Sequence, residues 1–535
     1  MKRVAVLPRA EYARRPRLFG ALAQASAVEF VPGDDEKSVN ADSIVTFGVH
    51  LEGVPVPSLC FVDTAGREPR SARDVELTAT SALERPLRRA IIPDARAPAA
   101  TALSPQRGDE VLASLDGRAL WTVSRSSGSP AHTVSVAPRE LGDSESLRDQ
   151  LKEREFVALL PLVHFLRETG DTPWPRPPLR ACLVIDDPNL HASSYGHLDF
   201  RALAAHATEV GYHVSIATIP LDQWLVRRSA ARIFRANPGT LSLAIHGNDH
   251  TRQELARPLS ETDRVAMLAS ALRRTGALER RCGVGVSRVM VAPHETCSAE
   301  MMLDMARIGF AALCYGFGFR FPDQPLAGWE PADFVHALPV LPRRPITSHR
   351  GELALRAFLG QPLILGGHHD DLADGLDVLA QAAQSLDRLG DVQWLSLGDI
   401  AGSNVLARLD GTELSVRLFS RRADVWVPEG VERLSVELPS LHTAAADEVI
   451  TAKTANRTLR ARFGPDRRAS LDVSTAGHVE LVLEHIRHVD PRTVPRNRTS
   501  PRAVARRAAT EARDRAEPLL RRGRHLRRTL QRSNT

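Results

Sequence analysis

Cysteine is scarce in this sequence of 535 residues, and the few present do not pair by spacing. Cys60, Cys182, Cys282, Cys297 and Cys314 are odd in number and contain no Cys-x-x-Cys step. A disulfide framework is therefore disfavoured, and a reduced, cytoplasmic setting is expected. Long apolar runs are missing too. No window reaches the roughly 18 apolar residues of a membrane span, and the run within Met1-Lys-Arg-Val-Ala-Val-Leu-Pro-Arg9 is too short for a secretory signal. Excess positive charge is absent from the body of the chain: residues 491–535 hold 14 Arg against three acids, so the +6 of the whole leaves −5 for residues 1–490. A nucleic-acid-binding body is thereby disfavoured. A nucleophile elbow is lacking in the first 140 residues or so, because Cys60 sits in Ser58-Leu-Cys-Phe-Val62, ordinary strand composition, and reads as structural.

What the chain does contain is a set of short apolar runs that end in polar residues. Leu241-Ser-Leu-Ala-Ile-His246-Gly-Asn-Asp-His250 ends in two histidines four apart. If the run is a buried strand and the backbone turns helically after it, both imidazoles stack on one face, where neutral nitrogens share one divalent cation. A third ligand must come from elsewhere. Ala181-Cys-Leu-Val-Ile-Asp186-Asp187 is another short apolar run, and it delivers an acidic pair at its end. Strands that carry polar residues at their C-terminal ends suit a parallel α/β layout, whose active face is formed by the loops after those ends. One aspartate is then free to bind the cation while the other serves as a base. Adjacent buried carboxylates are costly without a cation or donors to compensate, which strengthens the metal reading.

This set resembles the polysaccharide deacetylase superfamily, the NodB-like carbohydrate esterases of family 4 type, in a divergent form extending over residues 178–402. The resemblance implies Asp186 as catalytic base, Asp187, His246 and His250 as metal ligands, and a histidine ending a later strand as general acid. Pro362-Leu-Ile-Leu-Gly-Gly-His368-His369 matches that last motif, with His368 preferred over His369. Two positions depart from the family pattern. The arginine that steadies the base, two residues before a proline, is here Val291 before Pro293, and Pro188 replaces the glycine after the aspartates. The implied chemistry is hydrolytic removal of an acyl group, acetyl being the simplest, from an N- or O-acylated sugar or glycoconjugate. Zinc is the expected cation, and cobalt, nickel, iron or manganese suit the same ligands. His191 and Tyr195, in the loop after the aspartates, and Pro293, His294 and Glu295 are candidate substrate-site residues. The rival reading, favoured by Val291, is a metal-binding barrel with weakened chemistry that serves in glycan binding or polysaccharide assembly.

The expected fold is α/β: an irregular seven- or eight-stranded β/α barrel with an N-terminal α/β domain and a C-terminal β-sandwich. Residues 1–170 form the first domain, with strands at Val4–Leu7, Ala27–Val31 and Ile44–Val49, a helix from Arg17 to Ser26, a hairpin at Asp116-Gly117 and a helix opened by Ser144. The proline-rich stretch from Thr172 leads into the barrel, residues 178–402, whose later strands are read at Val289–Ala292, Phe310–Tyr315, Leu363–Gly366 and Gln393–Leu397. Residues 403–490 alternate without helices and predict the sandwich, a kind of module that often binds carbohydrate; of two roles for Trp426, stacking on a sugar or filling the core, the core is expected. The Arg-rich tail, residues 491–535, is expected to be disordered or loosely helical and solvated, with attachment to an anionic membrane surface on the inner face its favoured partner.

Overall fold

The computed structural model describes all residues except 1, 27, 36–39, 52, 65–69, 127, 144, 146, 153–155, 171–173, 317–329, 349, 440–441, 443–444, 474–475, 497–498 and 534–535. Ala27, Ser144, Thr172 and Pro173 thus lie outside the described residues. The chain forms two compact units, one built from residues 1–175 with the helix Arg350–Phe358, the other from Arg176 onward without that helix.

The first unit is organised on one nine-stranded sheet. Glu29–Pro32, Arg3–Leu7, Ser43–Phe47, Ser58–Asp63 and Ala131–Val136 run parallel, and four antiparallel strands follow them. The central parallel strands Arg3–Leu7 and Ser43–Phe47 are almost wholly buried, as strands covered on both faces are expected to be. The hairpin of Glu110–Leu115 and Arg118–Ser124 turns at Asp116 and Gly117, whose φ values of 51° and 76° are those of the left-handed turn that Asp-Gly favours. Cys60 is buried within its strand, and burial raises its thiol pKa.

The second unit opens with the barrel. Its strands are Leu179–Asp186 (β1), Val214–Thr218 (β2), Leu241–His246 (β3), Val286–Val291 (β4), Ala312–Gly316 (β5), Leu338–Pro345 (β6) and Leu363–His368 (β7). Each pairs in parallel with the next, and β7 closes on β1. The barrel has seven strands, and one of them is not where sequence pattern puts it. The stretch read at Gln393–Leu397 is instead the short strand Val392–Trp394, paired only with the first residues of β1, followed by a helix from Leu397. The true stave is β6, which three prolines and the pair Arg343-Arg344 disguise. Arg343 is tolerated in this buried position because it pairs with the carboxylate of Asp186.

After the barrel come two four-stranded sheets, one of Val405–Asp410, Glu413–Leu418, Arg433–Glu437 and Arg468–Asp472, the other of Arg422–Val427, Gly477–His485, Glu448–Lys453 and Thr458–Arg462. Trp426 is not in their core. It is 59% exposed, because Ala423, Val425 and Val427 take the inward positions of its strand and the period of two turns Trp426 outward.

The tail is a helix, Pro501–Ser533, and its first half is docked rather than solvated. Ala503 packs against Ile219 and Leu221. Arg507, 5% exposed, donates to the buried carboxylate of Asp222 through Nε and Nη2. A lone buried guanidinium would be costly, so pairing with Asp222 is what makes docking an Arg-rich segment feasible.

Candidate metal centre and active site

Register in a parallel barrel decides which side chains meet at its mouth. Asp186 ends β1 opposite His368 at the end of β7, and His246 ends β3 opposite Val291 at the end of β4. The C-terminal ends thus gather the acidic pair and the histidines on one face.

The two histidines are not brought together by a helical turn. After His246 the chain forms a loop wrapped around the buried carboxylate of Glu254, which accepts the N–H groups of Asn248, Asp249 and His250 at 2.8–3.0 Å. Gly247 at φ 65° starts the loop; a Cβ there would strike Glu254 and Pro293. Glu254 was invisible to the histidine spacing, although an acid shortly after a His-Gly-Asn-Asp loop is the residue type that caps exposed N–H groups.

The resulting donor set suits a divalent cation. His246 Nδ1 donates to the carbonyl of Val291 at 3.0 Å, which leaves the Nε2 lone pair aimed at the site. Asp187 Oδ1 stands 3.7 Å from His246 Nε2 and 3.4 Å from His250 Nε2. Tetrahedral ligands about 2.0–2.1 Å from zinc lie about 3.3 Å from one another, so Asp187 already stands close to that spacing from each histidine, and the three donor atoms all lie within 4.8 Å of one another. Burial, with His246 alongside, pushes the His250 pKa down to about 3, so this imidazole is neutral, as a ligand must be.

Asp186 lies beside this set, its Oδ2 4.0 Å from both His246 Nε2 and His368 Nε2. Burial alone would raise its pKa. Arg343 more than reverses that, donating Nη1 and Nη2 to the two carboxylate oxygens at 2.7 and 2.6 Å and holding Asp186 well below the usual carboxylate range. The guanidinium missing at Val291 is thus supplied by β6. It reaches β1 by crossing β7 at Gly366, where a Cβ would lie 2.9 Å from Arg343 Cδ. The Gly-Gly step inside an apolar strand was the available signal, since glycine there marks a close approach.

The remaining candidates divide into two groups. His368 is exposed toward the mouth, and the ring of His294 lies 5.0 Å from that of His250. Pro293 packs on Gly247, and the Glu295 carboxylate lies over Gly316 at the end of β5. His369, His191 and Tyr195 are instead buried against the C-terminal helix. Asp514 accepts from the Tyr195 hydroxyl at 2.7 Å and stands 3.7 Å from His369 Nε2, while Glu511 bonds His191 Nδ1 at 2.9 Å. Trp224, 61% exposed, lies with its ring centroid 4.6 Å from that of His191.

Among the described residues a second cluster, the buried His132 and His164 with the exposed Glu168 in the first unit, has cation-like spacing. Its donors do not fit a metal. The Trp121 indole N–H donates to His132 Nδ1 at 3.1 Å, so in the neutral ring the proton sits on Nε2, which faces Glu168 at 2.9 Å. That proton occupies the lone pair a cation would need.

No protein-family model matches the chain. No curated protein matches it either. Solved structures similar to it include Agd3, a carbohydrate deacetylase, at 9% identity over 90% of this chain and 98% of that one, with a TM-score of 0.46. A family 4 carbohydrate esterase from Streptomyces lividans in complex with acetate is 13% identical over 40% of this chain and 90% of its own, with a TM-score of 0.25. A family 4 acetyl xylan esterase from Clostridium thermocellum, in complex with a cobalt ion, is 11% identical over 41% and 89%, also with a TM-score of 0.25.

Proposed function

We propose that this chain is a metal-dependent hydrolase that removes an acetyl or related acyl group from an N- or O-acylated sugar or glycoconjugate. The observation that carries the proposal is the meeting, at one barrel mouth, of a two-histidine, one-carboxylate donor set with Asp186 and a solvent-reachable His368 4.0 Å from it. A divalent cation held by Asp187, His246 and His250, zinc or cobalt in the first instance, supplies Lewis-acid polarisation of the acyl group. Asp186, kept ionised by Arg343, takes the proton of the attacking water, and His368 returns one to the leaving amine or alcohol. The rival reading, a barrel with weakened chemistry, rests on Val291; the bidentate pairing of Arg343 with Asp186 supports the hydrolase. Among the described residues no helix is long and apolar enough to cross a membrane. All five cysteines are free and buried, which supports a reducing compartment.

The test is acetate release from a panel of N- and O-acetylated sugars by protein stripped with a chelator and then supplied with zinc or cobalt. Activity is expected only with metal, and is expected to vanish in the His246→Ala, His250→Ala double variant. His368→Ala should lower kcat by about 10²–10⁴-fold, the usual worth of a general acid. His369→Ala, by contrast, should lower thermal stability more than kcat. A native protein that binds neither metal and releases no acyl group would defeat the proposal.

A further inference from the structure

We infer that the C-terminal helix is a working part of the metal centre: Arg506 and Arg507 are positioning residues that hold Asp187 and His250 in the backbone conformation from which their side chains reach one cation. The inference rests on the reading of Asp187, His246 and His250 as ligands. It starts from an unusual backbone. Asp187 and His250 both lie in the left-handed region, at φ 82° and 50°. Aspartate and histidine enter this region more readily than most residues, yet they stay there only when the surroundings over-determine them.

The surroundings here come from two directions. On the barrel side, the N–H of Asp187 donates to the carbonyl of Ala217 at 3.1 Å, and the N–H of His250 donates to Glu254 at 3.0 Å. On the helix side, the carbonyl of Asp187 accepts from Arg507 Nη2 at 3.0 Å. The carbonyl of His250 accepts from Arg506 Nη2, which also reaches the carbonyl of Asp249 at 3.0 Å. The barrel therefore fixes the amide before each of these two residues, and the helix fixes the carbonyl after it. Both ends of the residue must be held for φ and ψ to be set together. The histidine loop and the aspartate loop are separate in the chain, and neighbouring arginines of one helix serve both.

Arg507 is not free to swing away from this task. Asp222 holds its Nε and Nη2 at 2.9 and 2.7 Å, Asn189 donates to the same carboxylate at 3.0 Å, and the guanidinium lies 5.7 Å from the centre of the Tyr195 ring. Arg506 is exposed apart from its carbonyl contacts, so its removal leaves no buried charge behind.

The experiment is calorimetric titration of cobalt(II) into the metal-free, full-length protein, with the visible spectrum of the bound cobalt recorded alongside. Four proteins are compared: native, Arg506→Gln, Arg507→Gln combined with Asp222→Asn so that no buried carboxylate is left unpaired, and the His246→Ala, His250→Ala control. Loss of outer-shell support typically weakens metal binding 10–100-fold. That loss is expected in both arginine variants, with an altered cobalt spectrum and, for Arg506→Gln, an unchanged melting temperature of the metal-free protein. Native-like affinity in Arg506→Gln and in the Arg507 variant, with binding abolished in the histidine control, would overturn the inference and leave the metal centre standing. Failure of the native protein to bind cobalt would overturn both.

Discussion

Asp186 owes its charge to a residue on a different stave of the barrel. A carboxylate 1% exposed is stable as an anion only with a donor in place, and Arg343 provides two parallel N–H groups. Arginine and lysine are not interchangeable in such a bidentate pair. Arg343→Lys keeps a positive charge but loses the fork, so Asp186 is held less firmly and its pKa rises. A base that protonates at higher pH moves the acid limb of the kcat/KM profile to higher pH, while the alkaline limb stays in place. A profile with an unmoved acid limb would show that Arg343 does not tune the base. Enlarging Gly366 should have the same direction of effect, since a side chain there pushes into the guanidinium. This contact joins residues 157 apart in sequence. The apolar runs ending in Asp186, His246 and His368 are local patterns and could be read directly, whereas Arg343 is identified only once the order of β6, β7 and β1 is known.

At the scale of elements, the same division holds. Strands with continuous apolar composition and hairpins at Asp-Gly declare themselves, because pattern and turn chemistry act over a few residues. The loop carrying His250 does not, because its shape is set by Glu254 and by arginines from the chain's end. In the first unit the helix Phe156–Thr169 brings His164 and Glu168 against His132 and Trp121. Burial, with the neighbouring His132 next, lowers the His164 pKa from 6.5 to about 4. A buried neutral histidine leaves the unfolded chain as the form that binds the extra proton between these values. Stability is therefore complete above pH 6.5 and falls as pH drops toward 4. At about 1.4 kcal/mol per unit the full effect is on the order of 3 kcal/mol. Glu168, lowered to about 2 chiefly by His132 against the opposing effect of burial, continues the loss from 4.5 downward. Urea midpoints measured by tryptophan fluorescence at pH 7 and pH 5 should differ in the native protein, and the difference should shrink in His164→Leu. An equal pH dependence in both would place the titrating group elsewhere.

For the whole molecule, composition was a poor guide to where the positive charge goes. The +11 of residues 491–535 reads as a solvated tail, because arginine blocks cannot bury themselves. Two acids within the same stretch change that outcome when placed on one helix, Glu511 and Asp514, which meet His191, Tyr195 and His369, while Asp222 of the barrel unit receives Arg507. The contacts are largely buried, and this separates two views of the helix by their response to salt. Exposed ion pairs weaken as the Debye length shrinks to about 3 Å near 1 M salt, whereas buried pairs are screened much less. A helix held by Arg507–Asp222 and by Ala503 in its apolar socket should therefore keep its amides protected from hydrogen exchange across residues 505–516 at high salt. A helix held only by surface attraction should lose that protection. Retention would mean that the arginines facing Asp187 and His250 stay in place whatever the ionic surroundings, as a permanent wall of the site. Loss would mean that the metal centre is complete only at low ionic strength, and cobalt affinity should then fall with salt in step with the protection.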